Sequence, residues 1–123
     1  MKVAVIGSGY VGLVSGIGFS EMGNYVYCVD NQADKVNQLD MGNLPIYEPG
    51  LKDLLDRNLK AGRLEFTTQL SRALEDSEVV FITVGTPSGE EGNADLSQVY
   101  LVAQEIGKNI NDYKIIVTKS TVP

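Results

Sequence analysis

Histidine is absent from the 123 residues, and cysteine occurs once, at Cys28. Without an imidazole no Ser–His or Cys–His pair can form, so nucleophilic chemistry of that kind is excluded from this chain. A single cysteine permits no internal disulfide and leaves the cytoplasm as the default compartment. No cluster of metal-ligand residue types occurs. Basic residues are also scarce, ten Lys and Arg against sixteen Asp and Glu, for a net charge of −6. They are scattered rather than clustered, which argues against nucleic acid or an anionic membrane surface as a partner. No apolar run approaches the ~20 residues of a membrane span. Met1 and Lys2 lead straight into an apolar run, with no signal-peptide pattern before it. A soluble, cytoplasmic protein with neither a nucleic-acid nor a membrane partner is expected.

A chain of this length is one domain's worth of material, able to bury roughly two-thirds of its unfolded surface. Apolar runs alternate with amphipathic stretches from end to end. Val3 to Ile6 is short and continuous, as in a strand buried on both faces. Val11, Val14, Gly18 and Met22 then recur at helical spacing, and Gly23-Asn24 is placed to cap that helix. Tyr25 to Val29 predicts a second strand, and Ala33 to Met41 a short helix carrying Val36 and Leu39. Gly42 to Gly50, with two prolines, predicts an ordered loop. Leu51, Leu54, Leu55 and Leu59 mark an amphipathic helix. Leu64 to Thr67 and Val79 to Val84 predict strands, with a short helix from Leu70 to Asp76 between them. After a polar loop from Gly85 to Asp95, either Asp95 or Ser97 is placed to cap a helix carrying Val99, Val102, Ala103, Ile106 and Ile110. Ile115 to Thr118 predicts a fifth strand. Strands separated by helices pair in parallel with right-handed crossovers. The expected fold is therefore α/β, a Rossmann-type doubly wound parallel sheet of order 3-2-1-4-5 in three αβα layers, with the sixth strand missing. The chain stops directly after its fifth apolar run, so residues 1–123 are expected to be a truncated domain with an unprotected edge strand.

The chemistry sits between Lys2 and Asp30. Gly7-Ser8-Gly9-Tyr10-Val11-Gly12 follows the first strand and opens the first helix, the context in which a GxGxxG pattern means dinucleotide binding. Gly7 allows the tight turn, Gly9 lets the backbone approach a phosphate, and Gly12 lets helix and strand pack closely. The helix N-terminus, at Tyr10 and Val11, offers free N–H groups and a partial positive charge to a pyrophosphate. Asp30, at the end of the second strand, is placed to accept hydrogen bonds from the adenosine ribose. It would repel a 2′-phosphate by roughly 1–4 kcal/mol at ~4 Å, so NAD is favoured over NADP. Lys35 is the complication, since a nearby ammonium could tolerate that phosphate. Gly85 and Thr86 end the fourth strand beside the point where strand order reverses, where ligands lie in open α/β sheets. Ser120, Thr121 and Pro123 occupy the same place after the fifth. Cys28 falls inside the second strand, where a buried thiol is inert packing. Glu90, Glu91 and Asp95 read as solvated loop acids.

In these residues the chain resembles the N-terminal NAD-binding domain of the UDP-glucose/GDP-mannose dehydrogenase family, and within it the UDP-glucose 6-dehydrogenases. The resemblance is carried by Val3-Ala4-Val5-Ile6-Gly7-Ser8-Gly9-Tyr10-Val11-Gly12-Leu13, Val29-Asp30, Pro45-Ile46-Tyr47-Glu48-Pro49-Gly50-Leu51, Val84-Gly85-Thr86-Pro87-Ser88, Ala94-Asp95-Leu96-Ser97 and Lys119-Ser120-Thr121-Val122-Pro123. The proline loop and the closing segment are far more specific than the glycine loop. The resemblance implies oxidation of UDP-glucose to UDP-glucuronate with two NAD+, by an enzyme expected to be a homodimer at full length. It places NAD contacts on Val11, Asp30, Lys35, Thr86 and Thr121, with Thr121 also near the catalytic water. In such enzymes the second oxidation passes through a thioester on a cysteine in segments this chain does not contain, and Cys28 is not that cysteine. The chain alone is thus expected to bind NAD weakly at best and to oxidise nothing. Dehydrogenases of GDP-mannose and UDP-N-acetylmannosamine share the same resemblance. A free-standing regulatory Rossmann module is the alternative of another class.

Overall fold

Five short strands, counted in chain order, form one parallel sheet in the order 3-2-1-4-5, as the alternation of elements predicts. The structure is a computed structural model describing residues 1–89, 92, 95–110 and 112–119. In chain order the elements are β1 (Lys2–Ile6), α1 (Tyr10–Glu21), β2 (Tyr25–Val29), α2 (Ala33–Asp40), α3 (Leu51–Lys60), β3 (Leu64–Thr67), α4 (Leu70–Asp76), β4 (Val79–Ile82), α5 (Ser97–Asn109) and β5 (Ile115–Thr118). Successive strand residues point to opposite faces, and each face meets its own helices. Val3, Val5, Val26, Cys28, Leu64 and Phe66 pack with Leu13 and Ile17 of α1, Val36 and Leu39 of α2, and Leu51 and Leu55 of α3. Ala4, Ile6, Tyr27, Val29, Val80 and Ile82 pack against Ala73 and Leu74 of α4 and Ile106 of α5. The result is a three-layer αβα sandwich.

Helix ends follow the sequence closely. After α1, Gly23 takes φ +99°, its N–H bonding Ser20 O while Asn24 N–H reaches back to Phe19 O. That pair of bonds is a Schellman closure, which satisfies carbonyls the helix would otherwise leave open. The same closure ends α2 at Gly42-Asn43 and α3 at Gly62-Arg63. The helix α5 begins at Ser97 with Leu96 at its N-cap and no side-chain cap, so neither Asp95 nor Ser97 caps it as expected; Asp95 Oδ1 instead accepts from Ser97 N–H at 2.9 Å, a turn leading into the helix.

Three further expectations need correction, the first in α5, which buries Val99 and Ile106 but leaves Ala103 exposed and ends at Asn109, before the exposed Ile110. The face of α1 that enters the core is Gly12, Leu13, Gly16, Ile17 and Ser20; of the expected set, Val14 is half-buried against that core, while Val11 and Met22 are exposed. Met22 is 80% exposed and Val11 44% exposed. The helix is apolar nearly all round, so large residues do not mark its inner side; small ones do, because close approach to the sheet needs them. Strand β4 is also shorter than expected, closing at Ile82. There the Thr83 hydroxyl turns back between Ile6 O at 2.8 Å and Gly7 O at 2.9 Å, its single proton shared between the two carbonyls.

Cys28 is packing, as its place in β2 predicts. A Cβ added at Gly16 would lie 2.6 Å from its Sγ, so α1 rests directly on the thiol. Burial pushes that thiol up to about 12, which keeps it protonated and unreactive at neutral pH.

Candidate functional site

A groove of about 740 Å³ opens along the carboxyl ends of β1, β2 and β4, where strand order reverses. Its floor is the turn from β1 into α1. Gly7 has φ +103°, and its N–H bonds Val29 O at 2.7 Å, which ties the turn to the end of β2. Gly12 lies behind the turn rather than in the groove. A Cβ there would overlap the Gly7 carbonyl oxygen and sit 2.8 Å from Thr83 Oγ1. Gly9 is the opposite case, exposed, with nothing within 4 Å of an added Cβ and an ordinary φ of −76°.

The helix α1 starts at this lip without a side-chain cap. Its first intrahelical bond runs from Leu13 N–H to Gly9 O, so the N–H groups of Tyr10, Val11 and Gly12 precede any such bond. Tyr10 and Val11 stand exposed on the lip. The Tyr10 hydroxyl donates to Glu48 Oε2 at 2.9 Å, pinning the lip to the proline-bearing loop. That bond and the carboxylate's charge raise the Tyr10 phenol above its usual value.

Asp30 forms one end of the groove. Its Oδ2 accepts from the Ser8 hydroxyl at 2.6 Å and the Ser8 N–H at 3.2 Å, with Lys35 Nζ 3.7 Å away. Its Oδ1 accepts from Gln32 N–H at 3.0 Å. Burial alone would raise this carboxyl, but the bonds from Ser8 and Gln32 and the Lys35 charge outweigh it and hold Asp30 below the ordinary carboxylate value. Gly85 and Thr86 line the opposite wall with Thr83, Gln98 and Leu101. The groove thus gathers Gly7, Gly9, Tyr10, Val11, Asp30, Lys35, Gly85 and Thr86, while Gly12 supports it from beneath. Thr121, like Ser120 and Pro123, lies outside the described residues.

The residues present fit a dinucleotide. The groove has an uncapped helix N-terminus between its two flanks, an empty position where a Cβ could have stood, and an ionised acceptor on the β2 side. These suit a pyrophosphate and a ribose in turn. Among the described residues no group of His, Cys, Asp and Glu could hold a metal ion, and no helix is long and apolar enough to cross a membrane.

Ser8 and Thr83 have roles the sequence reading missed. In the GxGxxG pattern Ser8 occupies an unconstrained position. The pairing of Ile6 with Val29, continued by the bond from Gly7 to Val29, is what brings Ser8 opposite Asp30.

Comparison with known proteins places the chain in a family. The UDP-glucose 6-dehydrogenase of Pseudomonas aeruginosa is 53% identical over the whole chain, which spans 27% of that relative. The corresponding enzyme of Bacillus subtilis is 51% identical over 99% of the chain and 26% of its own length. Among solved structures, a ternary complex of GDP-mannose dehydrogenase from Pseudomonas aeruginosa superposes with a TM-score of 0.95 at 39% identity, over 99% of this chain and 29% of that one. Residues 1–123 match the NAD binding domain of the UDP-glucose/GDP-mannose dehydrogenase family. The chain belongs to that family, as its NAD-binding domain.

Proposed function

We propose that residues 1–123 are the cofactor-holding part of a UDP-glucose 6-dehydrogenase. The whole protein would oxidise the C6 hydroxyl of UDP-glucose to a carboxylate with two NAD+, in the cytoplasm and as a homodimer. The choice of sugar is carried by one observation: within one organism, Pseudomonas aeruginosa, identity is 53% to the UDP-glucose enzyme and 39% to the GDP-mannose enzyme.

NAD+ supplies the hydride acceptor, and the chain's own residues hold and orient it. Gly9 leaves room for the pyrophosphate, and the N–H groups of Tyr10 and Val11 would bind it. Asp30 and Lys35 would take the adenosine ribose, and Gly85 and Thr86 would close the opposite wall. Thr121 is assigned through the family resemblance alone. Cys28 supplies no nucleophile, since it is buried, protonated and packed under α1. Sugar oxidation therefore depends on residues outside this chain.

A calorimetric titration of the chain with NAD+ is expected to show weak binding. UDP-glucose-dependent formation of NADH, followed by fluorescence, is expected from the whole protein and absent from this chain alone. Turnover by the isolated chain would overturn the assignment of catalysis elsewhere. Equal turnover of GDP-mannose by the whole protein would overturn the choice of sugar.

A further inference from the structure

We infer that Ser8 is a positioning residue for cofactor choice: it fixes the Asp30 carboxylate with Oδ2 occupied and Oδ1 free for one ribose hydroxyl, and so sets the preference for NAD over NADP. The inference rests on the NAD reading of the groove and deepens it.

The geometry is specific about which oxygen does what. Oδ2 receives both donors of Ser8, the hydroxyl at 2.6 Å and the N–H at 3.2 Å, and faces Lys35 at 3.7 Å. Two lone pairs per carboxylate oxygen leave Oδ2 no acceptor capacity. Oδ1 receives only Gln32 N–H, at 3.0 Å, in the more exposed of the two settings. One lone pair remains there, enough for a single ribose hydroxyl. An ionised carboxylate accepts and cannot donate, so the Ser8 hydroxyl must give its proton to Asp30. Ser8 is 2% exposed and the Asp30 side chain 12%, so neither bond competes with bulk water. Among the described residues Lys35 is the charged group facing Asp30. Its ammonium would draw the carboxylate aside if the Ser8 hydroxyl were lost. That movement would leave a cation beside the 2′ position and remove the repulsion that excludes a phosphate. Ser8 therefore settles a contest between two readings of the same pair, Asp30 rejecting the phosphate and Lys35 welcoming it.

The test compares the 123-residue chain with Ser8→Ala and Ser8→Cys, the second keeping side-chain size while removing the strong donor. Each is titrated with NAD+ and with NADP+ by calorimetry, and the Asp30 carboxyl is followed against pH by carbon NMR. Loss of one hydrogen bond to a charged group predicts roughly a tenfold to hundredfold weaker affinity for NAD+ in both variants. NADP+ affinity is expected to hold or rise, so the ratio between the cofactors falls by at least that factor. The Asp30 titration is expected to move up toward the ordinary carboxylate range. A wild-type chain that binds NADP+ as tightly as NAD+ overturns the NAD reading, and this inference with it. A wild type that prefers NAD while both variants keep the same ratio overturns the inference alone, as does an Asp30 titration that does not move.

Discussion

Gly12 and Gly9 belong to one loop and meet opposite surroundings. On the inner side, a Cβ at Gly12 would overlap the Gly7 carbonyl, and Gly16 one turn on has Cys28 Sγ 2.6 Å from where its Cβ would be. On the outer side, Gly9 has open space and an unstrained backbone. The inner glycines are explained by the folded chain itself. Among the described residues no atom crowds Gly9, and the proposed NAD+ site gives it a reason the fold does not. The loop therefore separates residues needed to make the groove from residues needed to fill it, and substitutions on the two sides should fail differently.

The largest expected effect is Gly12→Ala. The severe clash is with the Gly7 backbone carbonyl, which cannot rotate away as a side chain can, so α1 must lift from β1. A loss of more than about 4 kcal/mol is expected, enough to unfold a marginal domain. Urea denaturation followed by circular dichroism measures it. A Gly12→Ala chain that melts with wild type would break the comparison outright.

Next is alkaline pH, which probes the inner side through Cys28. Its folded value of about 12 lies above the ordinary value of 9.0. Stability should hold below pH 9 and fall as pH rises from about 9 to 12, by about 1.4 kcal/mol per pH unit at the steepest. Tyr27 adds to the same fall, since burial and the bond to Asp76 raise its phenol too. Cys28→Ala should remove the thiol's share and leave the tyrosine's. A stability curve unchanged between wild type and Cys28→Ala would mean the thiol is reached by water.

Gly16→Ala is third, at about 1–3 kcal/mol for overpacking, partly offset by alanine's better helix propensity. Because the obstruction is a side chain, Cys28→Ala should rescue it. A double-mutant cycle by urea unfolding reads the coupling directly. Additive costs would show that α1 does not rest on the thiol.

These inner contacts also show where the sequence was legible. The order of strands and the ends of α1 and α2 could be read because buried parallel strands are short apolar runs and both helices stop at a glycine. The buried face of α1 could not. With Val11, Leu13, Val14, Ile17 and Met22 spread around the helix, periodicity of large residues carries no direction, and Gly12 and Gly16 decide it through space rather than hydrophobicity. Most of the expected groove residues do share one groove, because each lies at a strand's carboxyl end and topology brings those ends together. Ser8 escaped notice because its role depends on register, and one residue of slip between β1 and β2 would aim it elsewhere.

Acid pH probes the outer side and should have a smaller effect. Asp30 is held below its ordinary value, so its contribution is whole above about pH 4 and is lost as pH falls through the folded value. Asp30→Asn should flatten part of the acid limb in pH-dependent urea unfolding. An unchanged limb would mean that the bonds from Ser8 and Gln32 do not form in solution.

The smallest effect on stability, and the sharpest on function, belongs to Gly9→Ala. The added methyl meets no atom, and φ of −76° suits any residue. The cost to folding should stay below about 1 kcal/mol, the difference between glycine and alanine at a helix N-cap. The same methyl would stand where the pyrophosphate must approach the N–H groups of Tyr10 and Val11, so NAD+ affinity should drop by about tenfold or more as those contacts lengthen. Urea unfolding and calorimetric titration on the same variant read the two quantities separately. A Gly9→Ala chain that binds NAD+ like wild type would leave Gly9 without a reason on either side of the loop. One that unfolds would show that its open space is closed in solution. Only retained stability with lost affinity fits a position kept empty for a ligand.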